Sequence, residues 1–252
     1  MKILPAGLLL SVLGGCSAIN DSLPSRSVVA EAAKEAALEP RTWVPLAGAA
    51  VLGVTGWDQD ISDWAARETP IFGSQDRARA ASDSLQYGLV GGMLVSSVFA
   101  PTEAGDGGFP TARVAANLLA FGSANATVAG LKEIVRRERP DDTDRRSFPS
   151  GHAVAAFTSS SLIEQNVDQT IASPVTRGVV TAGTIGLAAA TSWARVEGNK
   201  HYPVDILVSA AIGHFFATSF YRALVAPEDL GPPPISVEAG SDGLALRFSR
   251  RF

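Results

Sequence analysis

One cysteine in 252 residues, Cys16, excludes any internal disulfide, so the fold must rest on packing alone. Lysine is nearly as scarce, with 4 Lys beside 17 Arg, and the net charge is −4. No basic stripe of the kind that grips phosphodiester backbones is present, which sets nucleic acid aside as a partner. Alternation of apolar and polar residues with a period of two is missing from the body of the chain, which argues against a sheet protein. Uncharged runs stop at about 16–19 residues, near the lower limit for crossing a bilayer. What is plentiful is apolar character, 46% of residues against 18% charged, enough for a sizeable core.

The N-terminus reads as an export signal: Lys2, then a short apolar run from Ile3 to Leu13, then small residues before Cys16. Leu-Gly-Gly-Cys resembles the bacterial lipobox, which implies removal of residues 1–15 and lipidation of Cys16. By the same resemblance, Ser17 after the acylated Cys directs sorting to the outer membrane. The expected location is therefore the bacterial envelope, lipid-anchored in the outer membrane and facing the periplasm. The alternative is an integral inner-membrane protein.

Residues 16–40 read as a polar, Ala/Glu-rich tether leading into a short helix. Six apolar segments follow, Thr42–Trp57, Ser84–Thr102, Val114–Leu131, His152–Ile163, Gly178–Ala194 and Ile206–Tyr221, each longer than a normal strand. They predict an all-α protein, one helical bundle over 41–225. Residues 226–252 read as a Pro-rich linker and a small C-terminal β-hairpin tail with a Gly-Ser-Asp-Gly turn.

Three short stretches carry chemistry. In KEIVRRERP, Lys132 and Arg139 stand seven apart, a spacing that puts them on one face of a helix ending just before Pro140. Arg136 and Arg137 beside them read as structural, paired with Glu133, Glu138 or the Asp141–Asp142–Asp144 loop. In PSGH, Ser150 is a good N-cap for a helix beginning at Gly151, and a helix start is a ready anion site. Gly151 lets an anion approach the backbone closely, and His152 lies in the first turn. In ARVEGNKHYPVD, Arg195 adds a third cation, and Pro203 opens the helix that carries Asp205. Asp205, four residues after His201, is placed to accept a hydrogen bond from one ring nitrogen and leave the other as nucleophile. The third histidine, His214, nine residues after Asp205, falls on roughly the opposite helix face and reads as structural. Trp43, Trp57, Phe215 and Phe216 read as core or membrane-edge packing.

Together these stretches resemble the type 2 phosphatidic acid phosphatase superfamily, which includes lipid phosphatases, bacterial class A acid phosphatases and vanadate-dependent haloperoxidases. The family pattern is K-x6-RP, PSGH and SR-x5-H-x3-D. The chain supplies Lys132, Arg139 and Pro140, then Pro149 to His152, then Arg195, His201 and Asp205, over about 74 residues. It departs once, with Ala194 where the family has Ser. The resemblance implies that Lys132, Arg139, Ser150, Gly151 and Arg195 bind phosphate. It further implies that His201 attacks phosphorus, oriented by Asp205, and that His152 serves as acid and base. No metal and no cofactor are implied; the partner is a phosphorylated lipid or a small phosphate ester. Two other readings share these residues: a haloperoxidase holding vanadate in the same pocket, and a non-catalytic envelope lipoprotein that keeps the fold. The segment from Asp58 to Asp83 is expected to shape the pocket mouth.

Overall fold

The computed structural model describes residues 24–100, 110–168 and 170–226, and the backbone of 235–240 and 243–248. Cys16 and the expected signal, residues 241–242, most of the Pro-rich linker and the terminal Arg-Arg-Phe lie outside the described residues. Eight helices follow one another: α1 (Arg26–Leu38), α2 (Pro40–Thr55), α3 (Trp57–Glu68), α4 (Gln75–Phe99), α5 (Thr111–Val135), α6 (Gly151–Asp168), α7 (Pro174–Glu197) and α8 (Pro203–Leu224). The backbone of β1 (Ile235–Gly240) pairs antiparallel with β2 (Gly243–Phe248), Ile235 opposite Phe248.

Local chemistry sets the helix starts. Ser25, Ser74 and Ser173 accept hydrogen bonds from the first free amides of α1, α4 and α7. Pro40, Pro174 and Pro203 occupy the opening position of α2, α7 and α8, where a missing N–H is harmless. Gly56, at φ 78°, turns α2 directly into α3 through a left-handed conformation that a side chain would resist.

The centre of the bundle is α6, packed against α4, α5, α7 and α8. Its sequence GHAVAAFTSSSLIEQNVD buries Ala, Ser and Thr on most sides, so its neighbours approach closely. The tightest approach is at Gly213 of α8, where a Cβ would stand 2.8 Å from the Thr158 amide nitrogen of α6. Larger side chains fill the remaining space, with Met93, Leu162 and Tyr221 in one cluster and Val128 and Val154 in another. The hydroxyls of Thr158, Thr191 and Ser192 donate to carbonyls four residues back, so burying them leaves no donor stranded.

Residues 16–40 end in the short helix α1, which packs on α8, with Ala32 and Ala36 fully buried and the Glu35–Arg222 ion pair at 2.6 Å. One element differs from the sequence expectation. Between the first two long apolar segments lies a further helix, α3, too short and too charged to be read from apolar runs. Trp43 and Trp57 are more than half exposed and belong to no core. They continue an apolar exterior that includes Val51 and Val54 on α2, Val95 and Phe99 on α4, Leu118 on α5 and Val179 on α7. By length and composition α5 and α8 could each cross a membrane, with mean hydropathies of 1.3 and 1.4.

Candidate active site

One end of the bundle gathers the C-terminal ends of α5 and α7 and the N-terminal ends of α4, α6 and α8. Each element brings part of one polar cluster, in which side chains of the three motifs lie close enough to act on one another's charge.

His201 lies in the turn between α7 and α8, its side chain 2% exposed. Its Nδ1 is 2.6 Å from the Ser147 carbonyl oxygen, which can only accept, so Nδ1 carries the proton. The nearest Asp205 oxygen is 3.5 Å from the same nitrogen. The expected His201–Asp205 contact is thus a longer, electrostatic one, and the backbone carbonyl fixes the tautomer. Nε2 keeps its lone pair and has no hydrogen-bond partner among the described residues. Burial first, then repulsion from Lys132 and Arg195, opposed by Asp205, brings the His201 pKa down to about 4. The ring is therefore neutral and nucleophilic at pH 7.

Asp205, fully buried, is saturated with donors. Ser147 Oγ donates at 2.5 Å, Arg137 Nη1 at 2.8 Å and the Tyr202 amide at 3.0 Å. Burial pushes its pKa up, but His201, Arg137 and Ser147 prevail and hold it below the usual carboxylate range. Arg137 is the residue the sequence reading misplaced. It bridges Asp205 and Asp58, whose Oδ2 lies 2.6 Å from Nη2, and it lies over the Tyr202 ring, 3.8 Å from the centroid. Its partners are 68 and 79 positions away in sequence, so adjacency to Glu133 and Glu138 pointed to the wrong carboxylates.

The helix expected to reach Pro140 ends at Val135. Arg136 turns left-handed (φ 49°, ψ 41°) and donates its N–H to the Lys132 carbonyl. Arg139 therefore enters from a loop, not from the face that carries Lys132. The loop is pinned by Arg139 N–H to Asp144 O at 3.0 Å and by Arg139 Nε to Asp144 Oδ1 at 2.7 Å.

Of the three cations, Arg139 is paired with Asp144, while Lys132 and Arg195 have no carboxylate partner within ion-pair distance among the described residues. Lys132 Nζ donates to the Arg146 carbonyl, and burial, with repulsion from Arg139, takes its pKa down to about 8. Arg195 Nη1 donates to Ser82 Oγ at 3.0 Å, while its buried Nε has no partner. Burial and Arg139 bring Arg195 down to about 10. A buried guanidinium N–H without an acceptor is costly unless an anion completes it.

Ser150, fully buried, accepts from the Ala153 amide at 3.4 Å, and α6 starts at Gly151. Space in front of Gly151 is open, with nothing within 4 Å of where a Cβ would stand. His152 Nε2 is 2.7 Å from Asp83 Oδ1 of α4. Burial and the Arg195 and Arg139 charges lower its pKa, while Asp83 raises it. Asp83, Ser82 and Arg79 form a second group that the motifs do not reveal. At successive positions of one α4 face they hold His152, Arg195 and the Gly198 carbonyl at 2.7, 3.0 and 2.8 Å. Ala194 is fully buried and leaves no hydroxyl beside Arg195. Among the described residues, no group of three or more His, Cys, Asp or Glu side chains could hold a metal ion.

The family model described as PAP2 superfamily matches residues 113–227, from early α5 to the end of α8. The crystal structure of a transmembrane PAP2 type phosphatidylglycerolphosphate phosphatase from Bacillus subtilis is similar in fold, with a TM-score of 0.51 and 21% identity. The similarity covers 70% of this chain and 90% of that one. No curated protein matches the sequence.

Proposed function

We propose that the chain, whose residues 113–227 match the PAP2 superfamily model, is a membrane-associated phosphatase that hydrolyses phosphomonoesters or diphosphates through a phosphohistidine. The observation that carries the reading is the pairing of a neutral, tautomer-fixed His201 with a buried cationic pocket. In that pocket Arg195 Nε lacks an acceptor. A phosphate group supplies the missing negative charge and the missing acceptor together.

Lys132, Arg139 and Arg195 hold the phosphoryl oxygens, with Ser150 and the Gly151 amide at the start of α6 as further donors. His201 Nε2 attacks phosphorus, and the bond from phosphorus to the leaving oxygen breaks as His152 gives that oxygen a proton. Asp205 stabilises the cationic ring that forms, as Ser147 O keeps Nδ1–H in place. Water then attacks phosphorus, losing its proton to His152; the P–N bond breaks and phosphate leaves with His201 restored.

We favour a lipid phosphate as substrate, because the bundle end that bears the pocket adjoins an apolar exterior. We also place lipidation at Cys16, with the outer membrane as the site of anchoring. The test is phosphate release from a panel of soluble and lipid phosphates, with and without EDTA and vanadate. Turnover that survives EDTA, falls to vanadate and disappears in His201→Ala is expected. A folded protein inert towards the whole panel would sink the reading.

A further inference from the structure

The short helix α3 has three faces. Asp58, Ser62 and Ala65 are buried against the bundle. Gln59, Asp60, Asp63 and Arg67 are exposed and polar. Between them runs a stripe of Trp57, Ile61 and Trp64 at positions i, i+4 and i+7, one face of a helix. The bundle covers it only in part: Ile61 is half-buried and the Trp64 ring lies 6.3 Å from that of Trp193 on α7, yet Trp57 is 57% exposed and Trp64 44%, and Ile71, in the loop after the helix, is 67%. A helix that needed only a protein contact and a water contact would have two faces.

The stripe does not stand alone. Val51 (55% exposed) and Val54 (89%) on α2 lead through Gly56 directly into Trp57, so the exposed apolar surface of α2 continues into α3. Nor is the helix loosely attached. Asp58 accepts from the Val204 amide at 2.7 Å and pairs with Arg137, the residue that holds Asp205. The loop behind it is fixed by the fully buried Glu197, which accepts the amides of Ile71 and Phe72 at 3.0 Å each. The stripe is thereby locked in register with His201.

We propose that α3 is an interfacial helix: its Trp57–Ile61–Trp64 stripe and Ile71 insert into the headgroup region of a bilayer and set the active-site mouth at the level of lipid phosphates. Tryptophan is the side chain that favours this boundary, apolar in body with one polar N–H. The attraction is apolar, not electrostatic, because the exposed charges of α3 are Asp60, Asp63 and Glu68 against Arg67 alone. Seating is thus insensitive to salt and is not strengthened by anionic lipid. The proposal rests on the phosphatase reading for its consequence, which is a preference for phosphate esters presented by a membrane over the same group in solution.

The test uses full-length protein reconstituted with phosphatidylcholine vesicles. In a W43F/W193F background only Trp57 and Trp64 emit. Phosphatidylcholine brominated near the headgroup should quench them strongly, bromine near the chain end should quench them less, and added salt should change neither. In the second arm, W57S/W64S should lose about tenfold in kcat/KM on phosphatidic acid in vesicles while hydrolysing a short-chain soluble phosphate ester at the wild-type rate. Absence of quenching, or equal loss on both substrates with quenching absent, would overturn the proposal. If the wild type turned over neither substrate, the phosphatase reading would fail while the quenching result still decided the placement of α3.

Discussion

Among the described residues the bundle holds two buried histidines, one before α8 and one midway along it, and both lie against a carboxylate. At the candidate site, His201 uses Nδ1 on a carbonyl, and Nε2 has no partner among the described residues, near the charges of Lys132 and Arg195. Midway along α8, His214 uses both nitrogens: Nδ1 is 3.0 Å from Ser161 Oγ and Nε2 is 2.6 Å from Glu39 Oε2. Each charged side chain there has a partner of opposite charge. Glu39 also binds Arg222, Glu35 pairs with Arg222 at 2.6 Å, and Arg41 pairs with Glu164 at 2.5 Å. A buried His–carboxylate pair is therefore not in itself a reactive site. What distinguishes His201 is the unspent lone pair and the incompletely compensated positive charge of Lys132 and Arg195 around it, both of which a phosphate would use.

The sharpest way to break this comparison is to truncate each histidine. His201→Ala should lower phosphate release by at least about 10⁴-fold with the melting temperature little changed. His214→Ala should leave turnover intact and destabilise by about 1–3 kcal/mol, because it strands Glu39 and Ser161. Thermal melts beside initial rates read both. Equal kinetic damage from the two variants would erase the distinction.

A smaller effect is expected from the arginines that serve the two carboxylates. Arg137→Met leaves Asp205 buried with less compensation and should lower kcat by about 10²-fold, with KM little affected, since Arg137 does not meet substrate. Arg222→Met should spare kcat and loosen α1, which hydrogen–deuterium exchange over residues 26–38 would detect. A KM effect of Arg137→Met as large as its kcat effect would instead place that side chain on the phosphate.

The smallest effect concerns pH. Because burial and two cations hold His201 at about 4, the acid limb of kcat/KM should lie below the ordinary histidine range. Lys132→Met removes one repelling cation, so the His201 pKa should rise and the limb should move to higher pH, beyond any drop in rate from lost phosphate binding. The same depression acts on stability. Between an unfolded-state value of about 6.5 and the folded value, the unfolded chain binds the proton first, so stability is full above that range and declines as pH falls through it. His201→Phe should flatten that decline, which melts taken across that pH range would show.

Much of this protein was legible in order and spacing. Apolar runs located the six long helices, capping and proline chemistry placed the starts of α6 and α8, and the three motifs named the cations and the two histidines that the fold brings together. Those signals are local: a helix period, a cap or a fixed spacing involves only neighbours along the chain. What the tertiary structure decided involves partners far apart in sequence. The Ser147 carbonyl, 54 residues from His201, fixes the tautomer. Arg137 is drawn to Asp58 and Asp205 because ending α5 at Val135 turns it inward. Asp83 and Ser82 meet His152 and Arg195 only because α4 packs on both α6 and α7. The difference between His201 and His214 is of the same kind, since free lone pairs and unbalanced charge depend on what stands across the core.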